Sequence, residues 1–138
     1  MLSQLTYVST RNTNCTEAEI EKILGACKKN NPPLAITGIL LYSDNKFIQM
    51  VEGDSKVILG LYDKIKTDNR HSNCTMISYG PITEKSFPSW HMGARKLTST
   101  EVDFKTDITK EDKDLFDSIL NGKEANGSRV LGLLKKFF

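Results

Sequence analysis

AITGILLYSDNKFIQMVEG, residues 35–53, decides the fold. Two apolar runs, about 36–42 and 46–52, flank Ser43-Asp44-Asn45-Lys46, which is turn chemistry, so the stretch predicts a β-hairpin. Side chains along a strand alternate between two faces. Phe47, Gln49 and Val51 share one face of the second run; Ile48, Met50 and Glu52 share the other. Gln49 is the one uncharged polar side chain in the window 47–51, which is otherwise apolar on both faces. Burying an amide without a partner costs about 1–3 kcal/mol. Gln49 therefore needs something to bond.

Working outward, LSQLTYVS at 2–9 alternates as a strand, with Leu5, Tyr7 and Ser9 on one face and Thr6 and Val8 on the other. Thr16-Glu17-Ala18-Glu19 has the form of a capping box, in which the Thr16 hydroxyl caps the Glu19 amide and the Glu19 carboxylate reaches back. Ile20, Ile23, Leu24 and Cys27 then form a buried helical stripe. Pro32 and Pro33 stop that helix near Asn30 or Asn31. After the hairpin, Asp54 or Ser55 caps a second helix with the stripe Val57, Ile58, Leu61, Tyr62 and Ile65. Gly60 within it costs about 1 kcal/mol relative to Ala. A strand is expected at about 74–82. SWHMGARKL at 89–97 alternates as another, with Trp90, Met92 and Ala94 opposite His91 and Gly93.

The order is βαββαββ. Its first six elements predict an α+β fold, a ferredoxin-like βαββαβ sheet with two helices on one face and an extra fifth strand. The tail supplies a cover for the other face. Thr109 caps a helix of about 110–121, which Gly122 ends, with the stripe Leu115, Phe116, Ile119 and Leu120. Asn126 or Ser128 starts a last helix carrying Val130, Leu131, Leu133, Leu134, Phe137 and Phe138. Lys135 and Lys136 near its end suit the helix dipole. The expected organisation is a domain over 1–97 and a C-terminal helical extension over 98–138 packed on the sheet.

The 138 residues suffice for one domain with a real core. Hydrophobic residues make up 38% and charged residues 26%, the balance of a soluble globular protein. No apolar run approaches the roughly 20 residues of a membrane span, and MLSQLTYVST lacks the features of a signal peptide. A net charge of +2 without a basic block argues against nucleic acid as the main partner. Cys15, Cys27 and Cys74 are odd in number and widely spaced, which points to free thiols and a cytoplasmic setting. His71 and Cys74 lack a second ligand pair, so no metal is expected. No nucleophile elbow or glycine-rich phosphate loop is present. Exposed aromatics with basic neighbours, which an RNA-binding sheet needs, are missing too. Neither a hydrolytic enzyme nor an RNA-binding module is therefore expected.

What stands out is a set of polar groups inside apolar strands. The predicted topology makes the first and third strands central neighbours, so the Tyr7 hydroxyl and the Gln49 amide are able to meet. Pattern alone allows a plain core hydrogen bond between them. Asn30 and Asn31 are good helix-end residues whatever else they do.

Together these residues resemble the BLUF family of flavin-using blue-light sensors. The resemblance covers about 2–97. It rests on Tyr7 and Ser9 in TYVS, Asn31 in NNPPLAITG, Gln49 in FIQMVEG, DNRH at 68–71, and Trp90 and Met92 in SWHM. From Tyr7, the spacings are 24 residues to Asn31, 42 to Gln49 and 83 to Trp90. The sequence departs from the family at Gln4, where arginine is common, and at Ala35, where glycine or a polar residue is frequent. The tail looks like that of the short, stand-alone type.

The resemblance implies a non-covalent flavin, FAD with FMN as the alternative, between the two sheet-packed helices. Ile23 and Ile65 would sandwich its ring, with Leu40 and Phe47 from the sheet. Asn31 would bond the carbonyl edge, and Asn30 would border the ring or ribityl chain. Asp68, Arg70 and His71 would lie near the pyrimidine edge, ribityl and phosphates. It also implies a photochemical pair: Tyr7 gives up an electron and a proton and takes them back, leaving the Gln49 amide reoriented. Absorption shifts to the red and reverts in darkness. Trp90 and Met92, either of which could stand beside Gln49, would relay the change to the C-terminal helices and to a protein partner or a second copy. Phe137 and Phe138 favour self-association. A cofactor-free ferredoxin-like regulatory or interaction module is the alternative.

Overall fold

The computed structural model describes residues 1–97 and 109–136. Its strands are β1 Leu2–Arg11, β2 Thr37–Tyr42, β3 Lys46–Asp54, β4 His71–Pro81 and β5 Gly93–Lys96. Helix α1 (Glu17–Asn30) lies between β1 and β2, and α2 (Ser55–Lys66) between β3 and β4. Helices α3 (Lys110–Leu120) and α4 (Gly127–Lys135) follow the sheet. The sheet order is β4-β1-β3-β2-β5. β1 pairs antiparallel with β3 and β4, β2 antiparallel with β3, and β5 parallel with β2. This is the expected ferredoxin-like sheet with a fifth strand added beside β2.

Because β1 and β3 are central, both of their faces are covered. One face packs Leu5, Tyr7, Leu40, Phe47 and Val51 against Ile20 of α1 and Ile58 and Tyr62 of α2. The opposite face packs Val8, Ile39, Leu41, Ile48 and Met50 against Phe116 and Ile119 of α3 and Val130, Leu133 and Leu134 of α4. The C-terminal pair thus covers the sheet face that the first two helices leave open. Phe137, Phe138 and the 98–108 connection to the extension lie outside the described residues.

The helix ends follow their capping residues. Asp54 accepts from the Lys56 amide and Asn126 from the Ser128 and Arg129 amides. Thr109 and Asp112 form a full reciprocal capping box. At α1 the box is half made. Thr16 Oγ1 accepts from the Glu19 amide at 3.3 Å, but the Glu19 carboxylate turns instead to Lys22 and Arg70. Gly122, at φ +76°, supplies the left-handed residue that follows α3.

Two further differences from the sequence expectation have physical causes. β4 begins at His71, three residues before 74, because pairing with Thr10 and Arg11 of β1 extends the ladder through polar residues. Asn73, at φ 53°, lies within that stretch, where the register shifts. β5 is only four residues long, so 89–92 is not strand and Trp90 and Met92 do not share a strand face. Ala35 closes a 3-10 turn, Pro32–Leu34, with φ 53°. A non-glycine residue in this left-handed conformation costs about 1–2 kcal/mol. Neither Ala35 nor Gln4 lines the cavity described below. Gln4 lies on the opposite face, where its Oε1 accepts from Thr6 and Ser78 hydroxyls.

Candidate functional site

Antiparallel pairing sets Tyr7 of β1 directly opposite Gln49 of β3. Both side chains point toward α1 and α2, and each is about 5% exposed. The Tyr7 hydroxyl donates to Gln49 Oε1 at 2.5 Å. Burial, with the Cys74 thiol nearby as a smaller cause, pushes the Tyr7 phenol well above its ordinary pKa, so it keeps its proton. The other end of the amide is held far less firmly. Gln49 Nε2 approaches Met92 Sδ at 3.7 Å, and a thioether is a weak acceptor.

This pair closes the deep end of a cavity of about 190 Å³ between α1 and α2. The structure brings Ile23, Asn30, Asn31, Leu40, Phe47, Ile65, Asp68, Arg70 and His71 to its lining together with Tyr7 and Gln49. Ala26, Cys27 and Leu61 line it as well, although the sequence reading places Cys27 and Leu61 only in helical stripes and does not name Ala26. Helical periodicity held the signal for them: Ala26 and Cys27 stand three and four residues after Ile23, and Leu61 four before Ile65.

Trp90 and Met92 separate. Met92 is buried beside Gln49, while Trp90 is 37% exposed and its ring stacks on Phe87 at 5.4 Å, outside the cavity. Asn31 is buried and gives one Nδ2 hydrogen to the His91 carbonyl, which leaves the other. His71 engages both ring nitrogens. Nε2 donates to the Ile65 carbonyl at 2.5 Å, and Nδ1 bonds Ser9 Oγ at 2.7 Å. It therefore offers the cavity its ring rather than a free nitrogen.

At the mouth, Arg70 grips Asp68 with two parallel bonds, Nε to Oδ1 at 2.9 Å and Nη2 to Oδ2 at 2.5 Å, and also faces Glu19 at 3.5 Å. The Arg70 hydrogen bond holds the Asp68 carboxyl below the usual carboxylate range. A depressed folded pKa means this stabilisation is complete above the unfolded value of about 3.9 and is lost as pH falls through the folded value. Asp68→Asn is therefore expected to show a shallower fall in melting temperature than the parent chain below about pH 4, in thermal melts taken from about pH 6 to about pH 2.

The arrangement suits a flat aromatic ligand with a polar edge. Apolar side chains from two helices and the sheet wall the slot. Amide groups stand at its deep end and a guanidinium at its mouth. Among the described residues no helix is long and apolar enough to cross a membrane, and no group of three or more His, Cys, Asp and Glu could hold a metal ion.

Residues 2–93 match the family model described as BLUF, sensors of blue-light using FAD. The photoactivated adenylate cyclase subunit beta of Euglena longa is 33% identical over 88 residues, covering 64% of this chain and 10% of that protein. The chain spans about a tenth of the length of the curated relatives it matches. The dark-state structure of BlrB, a BLUF protein, is 36% identical with a TM-score of 0.67, covering 69% of this chain and 72% of that one. BlsA in its photo-activated state is 25% identical with a TM-score of 0.75, covering 99% of this chain and 94% of that one.

Proposed function

This chain belongs to the BLUF family, and from that premise we propose that it is a cytoplasmic blue-light photoreceptor whose switch is the Tyr7–Gln49 hydrogen bond. The observation that carries the reading is that bond: a buried phenol-to-amide contact of 2.5 Å at the deep end of a cavity between two helices. The residues present fit a flavin. Ile23 and Ile65 would flank its ring, with Leu40 and Phe47 beneath. The second Nδ2 hydrogen of Asn31 suits a carbonyl, and Asn30 stands at the rim. Arg70 at the mouth suits a phosphate. Asp68 and His71 complete that end. FAD is the proposed cofactor, with FMN the alternative. When bound, the flavin supplies blue-light absorption and, once excited, a strong oxidising centre.

Tyr7 is the readily oxidised group at the deep end. It would be the electron donor to that oxidising centre, and the hydrogen bond to Gln49 Oε1 would give its phenolic proton a path to leave and return. Both then return, so no covalent bond is changed and no substrate is consumed. What stays changed is the amide orientation. Glutamine suits this because one rotatable group carries both an acceptor and donors. Met92 Sδ is a weak partner for Nε2, so the turn forfeits little on that side.

The output follows from the same bonds. Exchanging a buried hydrogen-bond pattern is worth about 1–3 kcal/mol. Coupling of that size changes a partner's affinity by roughly 5–150-fold. From Met92 the chain runs through β5 to Leu97, which packs in the same core as Phe116 and Val130. Residues 98–138 would then present the change to a downstream protein or to a second copy of the chain.

An absorption spectrum of the purified chain tests the reading. The expected result is a flavin spectrum that shifts to the red under blue light and reverts in darkness. A chain that purifies colourless and refuses added flavin would instead be a cofactor-free ferredoxin-like module.

A further inference from the structure

Glu52 has no exposed surface and lies on β3 three residues beyond Gln49, on the opposite face. Its Oε2 accepts from the Ser86 amide at 2.6 Å. Its Oε1 accepts from the Phe87 amide at 2.9 Å and the Thr37 hydroxyl at 3.3 Å. One carboxylate thus clamps two consecutive backbone amides at the start of the 86–92 segment. Downstream, the Trp90 carbonyl accepts from the Gly38 amide at 2.8 Å and the His91 carbonyl from Asn31.

The clamp holds the Phe87 backbone amide, and the Phe87 ring lies against the Trp90 indole. The two rings stack with 30° between their planes. Trp90 also lies so close to Gly93 that a Cβ there would overlap its ring. Phe87 and the bare face of Gly93 make a shelf for the indole. Met92 is then the side chain of this segment that reaches Gln49.

We propose that Glu52 is a positioning residue that selects Met92 over Trp90 as the neighbour of Gln49, by clamping the Ser86 and Phe87 amides. Its effect on the light response rests on the photoreceptor reading above; its effect on Trp90 does not. A clamp made with a carboxylate is demanding. Both oxygens accept from N–H groups, and glutamine offers an acceptor at one of them and an NH₂ at the other.

Trp90 is the chain's sole tryptophan, so its emission reports its own position. In the flavin-free full chain, Glu52→Gln is expected to shift Trp90 emission to shorter wavelength and to weaken its quenching by acrylamide, as the indole leaves its shelf for the buried position. In the flavin-loaded chain the same variant is expected to quench Trp90 more strongly and to change the dark-recovery rate about tenfold, equivalent to about 1.4 kcal/mol. A folded Glu52→Gln chain with unaltered Trp90 emission and acrylamide quenching overturns the inference. If Glu52→Gln does not fold, Ser86→Pro decides. It removes one donor from the clamp and leaves Glu52 in place, and unchanged Trp90 emission in that variant is equally fatal. If the parent chain binds no flavin, the photoreceptor reading falls, while the flavin-free emission still decides the role of Glu52.

Discussion

Tyr7→Phe is expected to bind flavin as the parent chain does and to lose the reversible red shift completely. The ring remains, so the packing of Tyr7 against Tyr62 and His71 is retained. What is removed is the hydroxyl that donates to Gln49 Oε1, and with it both the oxidisable phenol and the proton. Phenylalanine has neither to offer. Flavin fluorescence is expected to rise, since the phenol proposed to quench it is gone. Losing one partner of a buried pair costs about 1–3 kcal/mol, so the variant should also melt at a lower temperature. A full red shift in Tyr7→Phe would move the donor role elsewhere. The first place to look is Tyr62, whose ring centroid lies 5.7 Å from that of Tyr7. Its hydroxyl, however, faces Cys74 Sγ at 3.7 Å rather than the Gln49 amide.

Gln49→Leu is the second decisive substitution, and its expected signature differs. The volume is nearly kept and the face around Phe47 and Val51 stays apolar, so flavin binding is expected to survive. The lasting red shift is expected to vanish, because a leucine has no amide to turn. Tyr7 keeps its hydroxyl in this variant, so flavin fluorescence is expected to remain more strongly quenched than in Tyr7→Phe. Measured together, the two variants separate giving up an electron from storing the result. A lasting, reversible red shift in Gln49→Leu would show that the stored change is not the orientation of this amide. Equal fluorescence in the two variants would show that quenching does not depend on the Tyr7 phenol.

The elements of the fold were legible because their signals are local. Alternation over 35–53 and 2–9, the apolar stripe of α1 and the Thr109 cap each involve residues within a few positions of one another. They fix which side chains face each side of the sheet before any strand is paired. The facing of Tyr7 and Gln49 followed once the order of elements fixed β1 and β3 as neighbours. The start of β4 was hidden because DNRHSN is polar, and only its ladder with β1 makes strand of its last residues. Cys27 and Leu61 were visible as parts of helical stripes. That they line a cavity depends on the distance between α1 and α2, which no single stripe contains.

The sequence by itself determined most of the secondary elements, all but the start of β4 and residues 89–92, and which side chains share each strand face. These follow from period, capping and turn chemistry, which act over a few residues. Only the tertiary structure decided between Trp90 and Met92. Strand alternation places them on one face, yet one lies on Phe87 and the other beside Gln49. The physical reason is that the 86–92 segment takes its shape from Glu52, Asn31 and Gly38, residues 34 to 60 positions away along the chain. Their pull on that backbone appears only when the sheet has brought them together.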